Sequence, residues 1–240
     1  MIPDNLIAIL RQSPRVTVLT GAGISAESGV PTFRDAQTGL WANYRPEELA
    51  TPEAFQRNPK LVWDWYLWRR QLVEQAKPNL GHIALKKMVT LFPYFALITQ
   101  NVDGLHQQAG SEDVIELHGN IRRTKCFAAA HIVADVLDPH LAHCPICESQ
   151  IRPDVVWFGE MLPREPLVQA FHVSQECDVF LSIGTSALVQ PAASLPLEAV
   201  QEGAILVEVN LAPTPLSQTA DFVLQGPAGT ILPDLVAQLT

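Results

Sequence analysis

Several sets of residues in this chain have types and spacings that could do chemistry. The first is Gly21-Ala22-Gly23-Ile24-Ser25-Ala26, which directly follows the β-like run Val16-Thr17-Val18-Leu19. Gly21, Gly23 and Ala26 fit the G-x-G-x-x-G/A spacing of a dinucleotide turn. The first Gly allows a tight turn, the second lets the backbone approach a pyrophosphate, and the small third residue lets a helix pack close to the strand. A helix starting near Ile24 would aim free N–H groups at phosphates. Gln100, Asn101 and Asp103 follow the apolar run Phe95-Ala96-Leu97-Ile98, so they sit at the carboxyl end of a strand, where open α/β sheets bind ligands. The competing reading is a plain turn, since Asn, Asp and Gly are turn formers. His118 ends another strand-like run, Val114-Ile115-Glu116-Leu117, and precedes Gly119. A neutral imidazole there suits a general base near pH 7. Of the other histidines, His82 packs near a helix start and His106 could orient the loop that carries Asp103.

Two further sets lie away from these strand ends. On a helical pattern from Pro59 to Ala76, Val62, Tyr66, Arg69 and Val73 share one face, whereas Arg70 points elsewhere. A guanidinium on so apolar a ridge calls for an anionic partner, and its fork suits a carboxylate. A Tyr hydroxyl one turn away could add a bond. The bland alternative is a snorkelling Arg beside a structural Tyr. Trp63, Trp65 and Trp68 on the same helix read as packing rather than a ligand platform. Cys126, Cys144 and Cys147 look like a structural metal cluster, with Cys144-Pro145-Ile146-Cys147 as a C-x-x-C knuckle for a tetrahedral ion. Ala129 stands where a second C-x-x-C pair needs its Cys. His131, His140, His143 and water are candidate replacements; a hairpin with reduced thiols and no metal is the alternative. Cys177, beside Val179-Phe180-Leu181, reads as a buried core residue.

These residues need elements to position them. Strand-like runs recur at 15–20, 95–99, 113–117, 179–183, 204–209 and 221–225, with helical patterns at 3–12, 81–91, 191–201 and Gly229–Leu239. The alternation predicts a parallel sheet with helices on both faces. After the glycine turn, Ser28, Gly29 and Pro31 cut the first helix short, unlike an ordinary dinucleotide unit. Residues 36–80 carry only loop and helix signals, with Thr51-Pro52 and Asn58-Pro59 as helix starts. Residues 120–153 carry three of the four cysteines and little hydrophobic periodicity. The fold class is thus α/β: a Rossmann-like domain from 1–35, 81–119 and 154–240, and a smaller domain from a helical module at 36–80 and a zinc-ribbon-like module at 120–153.

Composition narrows the function. The chain has 240 residues, 48% of them hydrophobic and 17% charged, enough for a sizeable core. A net charge of −9 argues against general affinity for nucleic acid or an anionic membrane. No apolar run is long enough for a transmembrane helix, and Met1-Ile2-Pro3-Asp4 lacks the basic region of a signal peptide. Four cysteines, three of them placed as a metal site, suit a reducing, cytoplasmic setting.

In family order, the segments Gly21 to Asp35, Thr99 to His106, Leu117-His118-Gly119, Val155 to Glu160 and Gly184-Thr185-Ser186 resemble the signatures of the sirtuins, NAD-dependent protein deacylases. The resemblance runs from about residue 16 to the C-terminus. It implies that Gly21, Ala22 and Gly23 cradle phosphate and that Ser25, Phe33 and Arg34 line the cofactor loop. Gln100 then serves the ribose, Asn101 and Asp103 the nicotinamide and ribose region as catalytic partners of His118. Gly184, Thr185, Ser186, Asn210 and Ala228 hold the adenosine half. Val156, Phe158, Gly159 and Glu160 offer an edge to an extended peptide carrying an acylated lysine. The pattern Tyr66-x-x-Arg69, with Gly39-Leu40-Trp41 and Ala50 to Phe55, resembles the class that removes succinyl and malonyl groups. By the family's mechanism the acyl oxygen attacks the nicotinamide ribose, nicotinamide leaves, and His118 deprotonates a ribose hydroxyl. Products are free lysine, nicotinamide and acylated ADP-ribose. A conventional NAD-dependent oxidoreductase and a non-catalytic NAD or ADP-ribose binding module are the alternatives.

Overall fold

The computed structural model describes residues 2–31, 42–134, 136, 138–140 and 142–240. Its main sheet is built from β1 (Arg15–Thr20), β2 (Tyr94–Thr99), β3 (Ile115–Glu116), β7 (Val179–Ile183), β8 (Ile205–Asn210) and β9 (Phe222–Gln225). The order is β3-β2-β1-β7-β8-β9 and every pairing is parallel. Central strands of such a sheet are covered on both faces, so they need apolar or internally bonded side chains at nearly every position. Val16 to Thr20 and all of β7 are buried accordingly. On one face Val16, Val18, Leu181 and Val207 pack against α1 (Asp4–Gln12), α5 (Leu80–Met88) and α9 (Ala228–Leu239). On the other, Leu19, Phe180 and Leu206 meet α7 (Arg164–Gln175) and α8 (Leu195–Gln201).

The chain runs outward from β1 through β2 to β3, returns, and runs outward again from β7 through β8 to β9. The reversal falls between β1 and β7. Their carboxyl ends, Thr20-Gly21 and Ile183-Gly184, therefore flank the crevice where such sheets bind ligands.

Two excursions complete the molecule. The helices α2 (Pro46–Leu49), α3 (Pro52–Arg57) and α4 (Pro59–Gln75) form the first. Thr51 Oγ1 accepts the Ala54 amide and Asn58 Oδ1 the Leu61 amide, each with Pro at the first helical position. The second is an antiparallel sheet of order β5-β4-β6, from β4 (Gly119–Cys126), β5 (Ile132–Val133) and β6 (Ile151–Val155). A shared core of Leu49, Phe55, Val62, Trp63, Trp65, Ile121, Ile151 and Trp157 joins the two. Trp63 and Trp65 are buried there, and Trp68 stacks on Trp65. The short α6 (Leu105–Gln108) follows the Asp103 loop. No helix among the described residues is long and apolar enough to cross a membrane.

Candidate active site

The glycine turn has a structural demand of its own. Gly21 N donates to Ile183 O at 2.9 Å and Gly23 N to Gly184 O at 2.8 Å. A Cβ on either glycine would lie 2.7 Å from Gly184 backbone atoms. The missing side chains thus allow two strand-end loops to touch across the switch point, where the spacing alone had suggested room for a pyrophosphate. The following turn is a 3-10 segment, Ala22–Ser28, closed by Gly29, rather than an α-helix from Ile24. Two of its first amides are already taken, Gly23 N by Gly184 and Ile24 N by Gly21 O. Phe33 and Arg34 lie outside the described residues, as does Gly39-Leu40-Trp41.

Beneath this turn lies a buried polar network. Ser25 Oγ donates to Asp103 Oδ2 at 2.7 Å and receives Asn101 Nδ2 at 3.2 Å. Asn101 Nδ2 also reaches Gly21 O, and its amide donates to Thr99 Oγ1. Asp103 Oδ1 accepts the Leu105 amide two residues on, a local turn that leads into α6. Thr20 Oγ1 bridges Thr99 Oγ1 and His106 Nε2, and the His82 and His106 rings meet at 4.9 Å. Burial pulls His106 down to about 3 and lowers His82 too, so both are neutral imidazoles. His82 accepts the Asn79 amide within a capping box at the start of α5. Asn79 Nδ2 in turn holds Ile24 O and Ser28 Oγ.

His118 leaves β3 next to this network. Its Nδ1 bonds Gln100 O at 2.9 Å, which makes Nδ1 the donor and leaves Nε2 as the basic nitrogen. Burial lowers its pKa against the opposing pull of that carbonyl. Gly119, at φ 79°, then turns the chain into β4 against the Asp154 carbonyl. The Gln100 side chain donates to Thr185 Oγ1, and Asn210 Nδ2 donates to Thr185 O. Ser186 is exposed at the rim, while Ala228 is buried at the start of α9 against α5.

A cavity of about 330 Å³ connects these groups to the excursions. Ala22, Ser25, Gln100, Asn101, Asp103 and His118 line it from the loops that follow β1, β2 and β3; Tyr66, Arg69, Val73, Val156, Trp157 and Phe158 line it from α4 and the segment after β6. Arg69 and Tyr66 come from α4, whose face carries Val62 and Val73 into the core. Burial depresses the Arg69 pKa, opposed by the nearby Tyr66 and Asp103. The Tyr66 hydroxyl accepts Trp157 Nε1 at 3.0 Å. Arg70 does point elsewhere, to the Ile121 and Arg123 carbonyls of β4.

Pairing in β6 stops at Val155, opposite Gly119. Val156 N then donates to His118 O and Phe158 N to Ala50 O. Glu160 and Gly159 also line the cavity, with the Glu160 carboxylate held by Arg152 on both oxygens and by the Trp157 amide. Burial works to raise that carboxyl, but these bonds keep it below its ordinary value. Arg152 and Trp157 are positioning groups that no spacing singled out, although Trp157 stands inside the substrate-segment motif.

In the small antiparallel sheet, Cys126, His131, Cys144 and Cys147 bring four ligand atoms within 4.8 Å of one another. Cys126 Sγ and Cys147 Sγ are 3.4 Å apart, and Cys144 Sγ and His131 Nδ1 3.8 Å. Zinc–sulfur bonds of about 2.3 Å at tetrahedral angles put sulfurs about 3.8 Å apart, so the set fits a zinc ion. Of the three histidines the sequence left open, β5 brings in His131, whose carbonyl accepts the Cys126 amide. His140 instead faces Asp64. The Cys126-x4-His131 spacing was the signal for it.

Fold and site together define an α/β enzyme whose cleft lies between the carboxyl ends of a parallel nucleotide-type sheet and the two excursions, one of which carries a metal-ligand cluster. The family model described as Sir2 family matches residues 21–191. A Pyrococcus furiosus protein named NAD-dependent protein deacylase is 50% identical over 239 residues, covering 96% of this chain and 95% of its own. A crystal structure of a Sir2 homolog–NAD complex superposes with a TM-score of 0.92 at 46% identity, covering 100% of this chain and 94% of that one. A Sir2–p53 peptide–NAD+ complex gives 0.86 at 34% identity, covering 99% and 98%. The chain belongs to the Sir2 family.

Proposed function

We propose that this enzyme is an NAD-dependent protein-lysine deacylase that favours succinyl and malonyl groups and also removes acetyl. The observation that carries the reading is one cavity lined both by His118 and by the Tyr66–Arg69 pair. The deacylase names and the NAD and peptide complexes of its relatives support the reaction class and the co-substrate.

When bound, NAD supplies a ribose carbon from which nicotinamide departs as the acyl oxygen attacks. Gln100, Asn101 and Asp103 orient the nicotinamide ribose, with Ser25 locking Asn101 and Asp103 in place. His118 Nε2 takes the proton of a ribose hydroxyl, its tautomer set by Gln100 O. Gly184, Thr185, Ser186 and Asn210 hold the adenosine half. The acyl carboxylate pairs with Arg69 and accepts from Tyr66. An extended peptide lies along Val156, Phe158 and Gly159, with Val189 and Gln190 lining the same cavity. Zinc on Cys126, His131, Cys144 and Cys147 fixes the fold of the β4–β6 module, which with the helices of 36–80 forms the smaller domain.

The test is mass spectrometry of acetyl-, malonyl- and succinyl-lysine peptides incubated with and without NAD. The reading expects NAD-dependent loss of the acyl mass with nicotinamide release. Production of NADH, or binding without turnover, would replace it with one of the alternative classes.

A further inference from the structure

The cavity lining contains a hydrogen bond whose direction is forced. Trp157 Nε1 lies 3.0 Å from the Tyr66 hydroxyl oxygen. An indole N–H can only donate, so Tyr66 is the acceptor. Trp157 is 2% and Tyr66 1% exposed, so bulk water offers neither group another partner. A phenol carries one proton. With the indole N–H aimed at its oxygen, the O–H bond must point away from the indole.

Nor is the indole free to turn. Phe55 packs on it at 5.3 Å and Phe127 at 6.5 Å. The Arg152 guanidinium lies 3.3 Å from the ring centroid, itself fixed by the Glu160 carboxylate. Burial also raises the Tyr66 pKa, which keeps its proton in place at neutral pH.

We propose that Trp157 is a specificity-positioning residue: its N–H fixes Tyr66 as a donor toward the acyl cavity, matched to an acyl group that ends in a carboxylate. The proposal rests on the acidic-acyl reading of the same site. A carboxylate only accepts hydrogen bonds, so a Tyr66 held as donor welcomes it. A Tyr66 free to rotate would present its lone pairs part of the time and oppose it. An acetyl methyl is indifferent to either orientation. Arg69 supplies the charge one turn along α4, while Trp157 decides which way its neighbour's proton faces.

The experiment compares Trp157→Phe, Tyr66→Phe, their double variant and Arg69→Met with the wild-type enzyme. Matched succinyl and acetyl peptides are used and kcat and KM measured separately. Trp157→Phe should lower the succinyl-to-acetyl ratio of kcat/KM about three- to tenfold, through the succinyl KM, as expected for one hydrogen bond. Tyr66→Phe should lower it by a similar factor, and the double variant should add little, because both remove one interaction. If Trp157→Phe perturbs folding, a benzothienylalanine at position 157 keeps the ring shape and removes only the N–H, with the same expected ratio. An unchanged ratio, equal losses on both peptides, or full additivity with Tyr66→Phe would overturn the proposal. If Arg69→Met and Tyr66→Phe also leave the ratio unchanged, the acidic-acyl reading falls with it. If those two lower the ratio and the position-157 variants do not, the role of Trp157 alone is refuted.

Discussion

The two sets of residues that line the cleft are held in different ways. Asn101, Asp103 and His118, the proposed catalytic set, follow the carboxyl ends of parallel strands, and main-chain atoms hold them, Gly21 O, Leu105 N and Gln100 O, with the Ser25 hydroxyl joining the first two. In the proposed acyl set, side chains are held by side chains. Tyr66 and Arg69 project from α4, Tyr66 bonded by Trp157 Nε1 and Arg69 over the Trp65 ring of the same helix, while the Arg152 guanidinium covers the Trp157 ring. The first arrangement ties chemistry to the sheet, which can hardly change. The second lets selectivity change by substitution on one helix face without moving the base.

The sharpest way to break this comparison is at the base. His118→Ala should cut deacylation of every acyl peptide by about 10²–10⁴, with unchanged circular dichroism. Nicotinamide release near the wild-type rate would remove His118 from the mechanism. The metal-ligand module should behave differently, as a support for the proposed acyl set. We expect about one zinc per chain by elemental analysis, and a melting temperature at least ~5 °C lower in His131→Ala. Because Phe127 follows Cys126 and packs on Trp157, that loss should raise KM for acyl peptide more than it lowers kcat. Metal-free protein with unaltered melting would show that the module stands without zinc.

Smaller effects follow from the titrating groups. His118 is held below its ordinary value near 6.5 by burial, and the base must be neutral to act. The acid limb of kcat/KM should therefore fall below pH 6.5; a limb centred above it contradicts the site as drawn. His106 tests the network beneath. It takes a proton only at about 3 when folded, but near 6.5 when unfolded. The unfolded chain then binds more protons in that window. Stability is complete above about pH 6.5 and is lost as pH falls, by up to about 1.4 kcal/mol per unit. Urea midpoints at pH 7.5 and 5 should differ less in His106→Gln than in the wild-type protein.

The legibility of the sequence divides along the same line. Strands 15–20 and 179–183 were readable because burial on both faces demands near-continuous apolar runs, and the groups at their ends came with them. The expected strand at 113–117 shrinks to Ile115–Glu116 because β3 is an edge, paired only with β2. Tyr66 and Arg69 were readable from helical spacing and Glu160 from its motif, but the Trp157 bond to Tyr66 and the Arg152 hold on Glu160 were not, since long-range packing makes the first and the second joins side chains with no periodic signal. His131 could not be chosen over His140 and His143 until β5 closed back on β4. The glycine turn was found for a partly different reason, since the Gly184 loop it must admit lies far along the chain.

The most direct measurement is kcat/KM on matched succinyl and acetyl peptides for the wild-type enzyme and Arg69→Met. A charge-assisted pair of about 1.5–3 kcal/mol predicts a roughly 10–150-fold loss on the succinyl peptide, carried by KM. Deacetylation should stay near the wild-type level. Equal losses on both peptides would show that Arg69 serves the fold, and would contradict the assignment of this cavity to acidic acyl groups.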